Sequence, residues 1–252
     1  MQHGIINLAI VPLREEPAHR SQQLSQLLFG EDFQVLETQD QWLKIENEFY
    51  TGWIQAIQSV LIDSNEFDIF KQKPSQLTLE PVTVIRRNDK NSLLYLPAGS
   101  VLREVYNRKF NIGPTEYELQ NSLQLKEINL IDYAKTYLNT PYLWGGRTHF
   151  GIDCSGFSQS VFRQCGIKIK RDAWQQAEQG TTVDFLQAAK PGDLAFFDNE
   201  AGRIIHVGIM LNNEQLIHAS GSVKFDRIDD QGIYSAEQKK YTHHLRIIKR
   251  FI

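Results

Sequence analysis

Apolar and polar positions alternate with the period of a β-strand through the first part of the chain. Residues 5–13, 23–29, 32–38, 42–46 and 50–56 each read as a short strand, punctuated by Pro12, Pro17, Gly30, Asp40 and Gly52. Even spacing of this kind, with no useful helical stretch over 1–62, predicts a small β-barrel. Residues 82–86, 93–96 and 101–106 repeat the pattern between Asn88-Asp89, Pro97-Ala98-Gly99 and Asn107, so a second small β unit is expected over 63–122. The period changes near Leu125. Over 127–138 the side chains Ile128, Ile131, Ala134 and Leu138 share one helical face, which ends before Thr140-Pro141 because proline forbids further helix. A second helix is predicted over 155–165, with Phe157, Val161, Phe162 and Cys165 as its buried stripe and Gly166 as its stop. A short third helix is predicted over 173–179, between Asp172 as N-cap and Gly180. Residues 193–197, 204–211, 215–219 and 245–252 then return to strand patterns, with turns at Pro191-Gly192 and Asn212-Asn213. Helices first and an antiparallel sheet after predict an α+β domain over 123–252.

Length and charge narrow the picture. A chain of 252 residues suits two or three domains. Its 27 basic and 30 acidic side chains give a net charge of -3, which supplies no electrostatic footprint for nucleic acid. No run of apolar residues is long enough to span a membrane, and Met1-Gln2-His3-Gly4-Ile5-Ile6-Asn7 lacks the basic and apolar regions of a signal peptide. A cytoplasmic location is therefore expected. Cys154 and Cys165 stand eleven residues apart on one predicted helix, too far along its axis for a disulfide, and both are expected to be reduced.

The candidate chemistry lies at Gly151-Ile152-Asp153-Cys154-Ser155-Gly156-Phe157. A free cysteine is more often a small buried apolar residue than a nucleophile. Here Asp153 is a poor core residue, Ser155 and Gly156 are small enough to admit a substrate, and Phe150-Gly151 leads in like a loop. Cys154 also sits at a helix entrance, where unpaired N–H groups and the helix dipole favour a thiolate. A nucleophile of this type needs a base, and the base needs a polar partner to fix its tautomer. His206 and His218 lie on either side of the Asn212-Asn213 turn. An even sum of paired residue numbers would put both on one face of the hairpin, whereas a two-residue loop would separate them, so a three-residue loop or a bulge is predicted. Zinc is the poorer reading, because Cys154, His206 and His218 have no second short-spaced Cys or His pair beside them. His243-His244 reads as a solvated turn.

Five motifs in order carry a resemblance. Thr140-Pro141-Tyr142-Leu143-Trp144-Gly145-Gly146, the Cys154 segment, Lys190-Pro191-Gly192-Asp193-Leu194-Ala195-Phe196-Phe197, His206-Val207-Gly208-Ile209 and Ile217-His218-Ala219 resemble the bacterial cell-wall cysteine peptidases of the NlpC and p-sixty family. Val11-Pro12-Leu13-Arg14-Glu15-Glu16-Pro17, Gln26-Leu27-Leu28-Phe29-Gly30-Glu31, Trp42-Leu43-Lys44-Ile45 and Gly52-Trp53-Ile54 resemble a bacterial SH3-like domain. The combination looks most like the γ-D-glutamyl-L-diamino acid endopeptidases of that family. The resemblance implies a papain-like domain over 123–252, preceded by one or two SH3-like barrels. It implies Cys154 as nucleophile, His206 as base, His218 as the group orienting His206, and Tyr142 beside the thiol helping the oxyanion. Trp144, Asp153 and Ser155 match positions lining the cleft. The implied substrate is a murein stem peptide, L-Ala-γ-D-Glu-diamino acid, with a free N-terminal amine and no metal or organic cofactor. Asp172 matches a carboxylate that reads this amine, though it also reads as a plain helix cap. Glu16 and Tyr50 match the barrel's contribution, capping the cleft so that two residues fit before the scissile bond, with Glu15 as the alternative to Glu16. Ala173 stands where relatives often have serine. Together with a cytoplasmic address these features imply recycling of wall peptides. A non-catalytic module binding wall peptides, and an amidase or acyltransferase on the same papain-like fold, are the alternatives.

Overall fold

In the computed structural model, which describes residues 2–121, 123 and 128–252, the alternating stretch at the start of the chain becomes a seven-stranded antiparallel sheet. Its strands are β1 (His3–Ile6), β2 (Ile10–Arg14), β3 (Gln23–Leu28), β4 (Asp32–Gln39), β5 (Trp42–Glu46), β6 (Thr51–Gln55) and β7 (Ser59–Ile62), in the order β3-β2-β6-β5-β4-β1-β7. The predicted strand 5–13 is two strands, because Asn7, Leu8 and Ala9 leave the ladder and the chain changes partner from β4 to β3. Val11, Leu13, Leu27, Phe33, Leu43, Ile45 and Ile54 point inward and form one core. Helix α1 (Ser64–Gln72) follows, where only strands were expected. Asp63 caps it by accepting from the Glu66 N–H at 2.9 Å, and the Glu66 carboxylate accepts from the Asp63 N–H in return. Next come β8 (Ser75–Leu77), β9 (Thr83–Arg87), β10 (Ser92–Leu96), β11 (Val101–Arg103), β12 (Lys109–Ile112) and β13 (Thr115–Leu119). They form a four-stranded sheet, β10-β9-β13-β12, and the pair β11-β8. Phe70, Ile85, Leu96, Phe110 and Tyr117 make a second core that also takes Ile5 and Ile62 from the first sheet and Phe29 from the turn after β3.

Residues 1–126 and 127–252 are two separate compact units. In the second, Asn129 caps α2 (Leu130–Lys135), its amide oxygen accepting from the N–H groups of Ile131 and Asp132. The expected start of this helix at Glu127, and residue 122 at the boundary drawn before it, lie outside the described residues. The short strands β14 (Arg147–Thr148) and β15 (Gly151–Ile152) lead into α3 (Cys154–Gln164), and α4 (Ala173–Ala177) comes after it. The stripe on α3 behaves as its spacing requires: Phe157, Val161 and Phe162 are fully buried, each worth about 1.5–3 kcal/mol in area removed from water.

The remaining strands are β16 (Thr181–Val183), β17 (Leu194–Asp198), β18 (Ile204–Met210), β19 (Gln215–Ser220), β20 (Ser222–Asp229), β21 (Gly232–Ser235) and β22 (Lys240–Arg250). They are ordered β16-β22-β17-β18-β19-β20-β21, and β21 also pairs with β22, so six of them close into a ring. Strand alternation gives the sheet two apolar faces. Phe196, Val207, Ile209, Ile217 and Ala219 pack against α2 and α3, while Phe197, Met210, Leu216, Ile228 and Ile233 fill the other side. The unit is α+β, as its pattern predicts. Among the described residues no helix is long and apolar enough to cross a membrane.

Candidate active site

Helix α3 begins at Cys154 because Asp153 stops the backbone from becoming helical one residue earlier and caps the turn. Its Oδ1 accepts from the Gly156 N–H at 2.6 Å. The same carboxylate accepts from the Gly145 N–H at 2.8 Å and from both terminal nitrogens of Arg171, at 2.9 and 2.7 Å. Arg171 is 2 % exposed and also donates to Ser155 Oγ at 2.9 Å. Asp153 and Ser155 thus lie buried around this guanidinium, which sequence reasoning did not single out. Glycine is required at 156, since a Cβ there would lie 2.3 Å from the Gly146 carbonyl oxygen and 2.9 Å from the Asp153 carboxylate.

The Cys154 thiol is 6 % exposed, and the backbone N–H groups of Val207 and Ser155 reach it. They favour the thiolate, as expected at a helix entrance, but burial and the Asp153 charge outweigh them and push the thiol up to about 12. Burial thus works against the ionised form that the helix entrance favours. Both cysteines are free. Tyr142 is clamped by its backbone, with its N–H donating to Gly221 O at 2.9 Å and a bridge to Ile152. Burial, then the neighbouring Cys154 and Asp153, raise its phenol, so it keeps its proton and can donate.

The hairpin of β18 and β19 pairs Ile209 with Ile217 and Met210 with Leu216. This is the even register. The loop has the three residues Asn212, Asn213 and Glu214, closed by the Leu211 N–H donating to Gln215 O at 2.8 Å, and Asn212 Oδ1 accepts from the N–H groups of Glu214 and Gln215. His206 and His218 consequently share a face on a diagonal, with Gly208 opposite His218. A Cβ at Gly208 would lie 2.4 Å from Leu216 Cδ1 and 3.1 Å from His218 Cβ, so the missing side chain opens the diagonal. Across it His206 Nε2 and His218 Nδ1 are 2.8 Å apart, and no hydrogen bond engages His206 Nδ1 among the described residues.

Two more groups complete the cluster. His218 Nε2 lies 3.0 Å from Asp226 Oδ2 on β20. The His243 ring stacks on His206 with centroids 4.1 Å apart and planes 26° from parallel. His243 is thus a half-buried residue of β22 and not a solvated turn, because a bulge at Ile233/Tyr234 sets the pairing that turns it inward; His244 alone is exposed, beside Asp198. Burial holds His206 well below the usual imidazole range, helped by His218 and His243. His218 is lowered by burial against the pull of Asp226, and His243 is lowered to about 4 by burial. The imidazoles are neutral at pH 7, and a neutral imidazole with a free nitrogen can take a proton from a thiol.

The other expected residues are placed as follows. Trp144 is exposed in the turn before β14. Asp172 caps α4, where Gln175 Oε1 accepts from its N–H at 3.2 Å, and Ala173 is buried at the first helical position. Glu16 is exposed in the β2–β3 loop, its N–H donating to Ser21 Oγ at 2.8 Å. Tyr50 is half-buried in the first unit, packed on the barrel core. Among the described residues no group of three or more His, Cys, Asp or Glu is arranged to hold a metal ion.

Comparison with known proteins adds an independent line. The NlpC/P60 family profile matches residues 139–246, and the bacterial SH3 domain profile matches residues 11–57. The chain is 29 % identical over 218 residues to a gamma-D-glutamyl-L-lysine dipeptidyl-peptidase of Bacillus subtilis (strain 168), an alignment covering 77 % of this chain and 71 % of that protein. It is 39 % identical over 107 residues to the Escherichia coli (strain K12) protein named Probable endopeptidase NlpC, covering 42 % of this chain and 69 % of that protein. A crystal structure of an NlpC/P60 family protein from Bacillus cereus superposes with a TM-score of 0.81 at 21 % identity, covering 98 % of this chain and 99 % of the other. At that identity the likeness is one of fold.

Proposed function

Since the chain belongs to the NlpC/P60 family, with a bacterial SH3-like domain before the peptidase domain, we propose that it is a cysteine peptidase cutting the bond between γ-D-glutamate and the following diamino acid in murein stem peptides. The observation that carries this reading is the hydrogen-bonded His206–His218 pair on one strand face, with the Cys154 thiol against the adjoining Val207. In the reaction, His206 Nδ1 takes the thiol proton as Cys154 Sγ attacks the scissile carbonyl carbon. The Cys154 N–H and the Tyr142 hydroxyl donate to the oxyanion. His206 then protonates the departing amine and leaves a thioester. Water, deprotonated by the same nitrogen, hydrolyses the thioester and restores the thiol.

The substrate reading rests on the resemblance and on the name of the Bacillus subtilis relative. A peptidase that requires a free N-terminal L-alanine acts on stem peptides already released, which suits recycling of wall material. The resemblance assigns the amine to a carboxylate whose position Asp172 matches. Incubation with L-Ala-γ-D-Glu-meso-diaminopimelate and with its L-lysine counterpart, each free and N-acetylated, tests the proposal. Release of L-Ala-γ-D-Glu from a free peptide and not from its acetylated form is expected. Cleavage of the acetylated peptides alone, or of none, overturns it.

A further inference from the structure

The hydrogen-bonded chain that starts at His206 does not stop at His218. It crosses three neighbouring strands in two diagonal steps: His206 on β18 to His218 on β19, and His218 to Asp226 on β20. The second step, like the first, is set by register, since Leu216 pairs with Asp226 and His218 with Lys224, so Asp226 lies on the face of His218 two residues along. We propose that Asp226 is a positioning residue that sets the direction of every proton in this chain and so keeps the lone pair of His206 on Nδ1.

Donor and acceptor roles decide the direction. Neutral imidazole has one donor and one acceptor nitrogen, so two imidazoles bonded in series can point either way. An ionised carboxylate can only accept. With Asp226 at its end the chain is pinned: His218 Nε2 donates to Asp226, His218 Nδ1 must accept, and His206 Nε2 must donate to it. His206 Nδ1 is left with the lone pair that takes the thiol proton. Without Asp226 the reversed chain becomes accessible, with a proton on His206 Nδ1, where it blocks the base. Burial makes the distinction count, since His206 and His218 are 5 % and 0 % exposed and water is poorly placed to reset the tautomers. The charged and titratable groups facing this chain are few. Lys224 on β20 puts its ammonium 3.7 Å from Asp226, and His243 on β22 stacks on His206.

The inference rests on the peptidase reading for its effect on turnover, but its structural core can be tested without substrate. Imidazole nitrogen spectra of the full chain at neutral pH should show His206 and His218 both protonated at Nε2, and Asp226→Asn, whose amide can donate as well as accept, should show a mixture. Thermal unfolding of the same samples reports whether the variant is folded. On the stem peptide that the wild type cleaves, Asp226→Asn is expected to lower kcat by roughly tenfold or more with KM within about twofold, less than the ~10⁴-fold that loss of a directly bonded orienting carboxylate costs in a serine-protease triad. Asp226→Glu should restore part of the loss. A wild-type spectrum with His218 protonated at Nδ1 overturns the proposal, as does a folded Asp226→Asn with unchanged tautomers and kcat. If the wild type cleaves no stem peptide, the functional reading fails while the spectra still decide the role of Asp226.

Discussion

Burial pushes the Cys154 thiol up to about 12 and holds the His206 imidazole well below its ordinary range, and both shifts disfavour a resting thiolate–imidazolium pair. In the proposed reaction the nucleophile is then made in the step itself, by transfer to His206, and is not stored as an ion pair. Alkylation of Cys154 by iodoacetamide should accordingly keep accelerating as pH rises beyond about 9, because the rate follows the thiolate fraction. A plateau reached by neutral pH would mean a preformed thiolate. The buried histidines make a second prediction. His243 and His149 are each lowered to about 4 by burial, so below 6.5 the unfolded chain takes up protons that the folded chain refuses. The stability they contribute is present above 6.5 and is lost as pH falls toward 4, at up to about 1.4 kcal/mol per pH unit for each. Thermal midpoints should fall steeply across that window, and His243→Phe should flatten the fall; an unaltered slope would contradict the assignment. Cys154, His206 and His218 were legible because short patterns place them, the helix start for the first and the even register for the others. Arg171, Asp226 and His243 were not, since each meets its partner only in the folded chain.

Elements hold these groups through a few unusual positions. Gly208→Ala should leave the sheet intact but force Leu216 or His218 aside, given the 2.4 and 3.1 Å approaches. Overpacking of this kind costs about 1–3 kcal/mol, and turnover should fall far more than stability. An active Gly208→Ala with normal kcat would show that the diagonal needs no open position. The start of α3 depends on a buried ion pair, and Arg171→Ala leaves the Asp153 carboxylate uncompensated at 6 % exposure. A loss of about 3–5 kcal/mol in denaturant unfolding is expected, and a loss under 1 kcal/mol would mean that the Gly145 and Gly156 N–H groups suffice. The unforeseen elements have physical explanations. The capping box of Asp63 and Glu66 is the local signal for α1, set among strand patterns on both sides. Strand β20 hides because its apolar residues change face, Val223 joining the helix-side core and Ile228 the opposite one, with Phe225 left exposed between them. Strand β22 begins polar, at Lys240-Tyr241-Thr242-His243-His244, so only its apolar second half could be read.

Across the whole chain, fold class was the most legible property, because the change from a two-residue period to helical spacing and back survives any local irregularity. The second unit carries its own core and a ring of six strands closed by the β21–β22 pairing. A closed sheet has fewer edges to protect, so residues 128–252 expressed alone should unfold in one cooperative transition; a broad, non-cooperative melt would show that its stability is borrowed. The chemistry proposed for this unit comes down to one covalent bond. Acid quenching during turnover of L-Ala-γ-D-Glu-diamino acid peptide, followed by intact mass and peptide mapping, measures it directly. An L-Ala-γ-D-Glu acyl group is expected on the peptide bearing Cys154, lost together with turnover in Cys154→Ala, whereas hydrolysis that continues in Cys154→Ala would contradict the proposed chemistry.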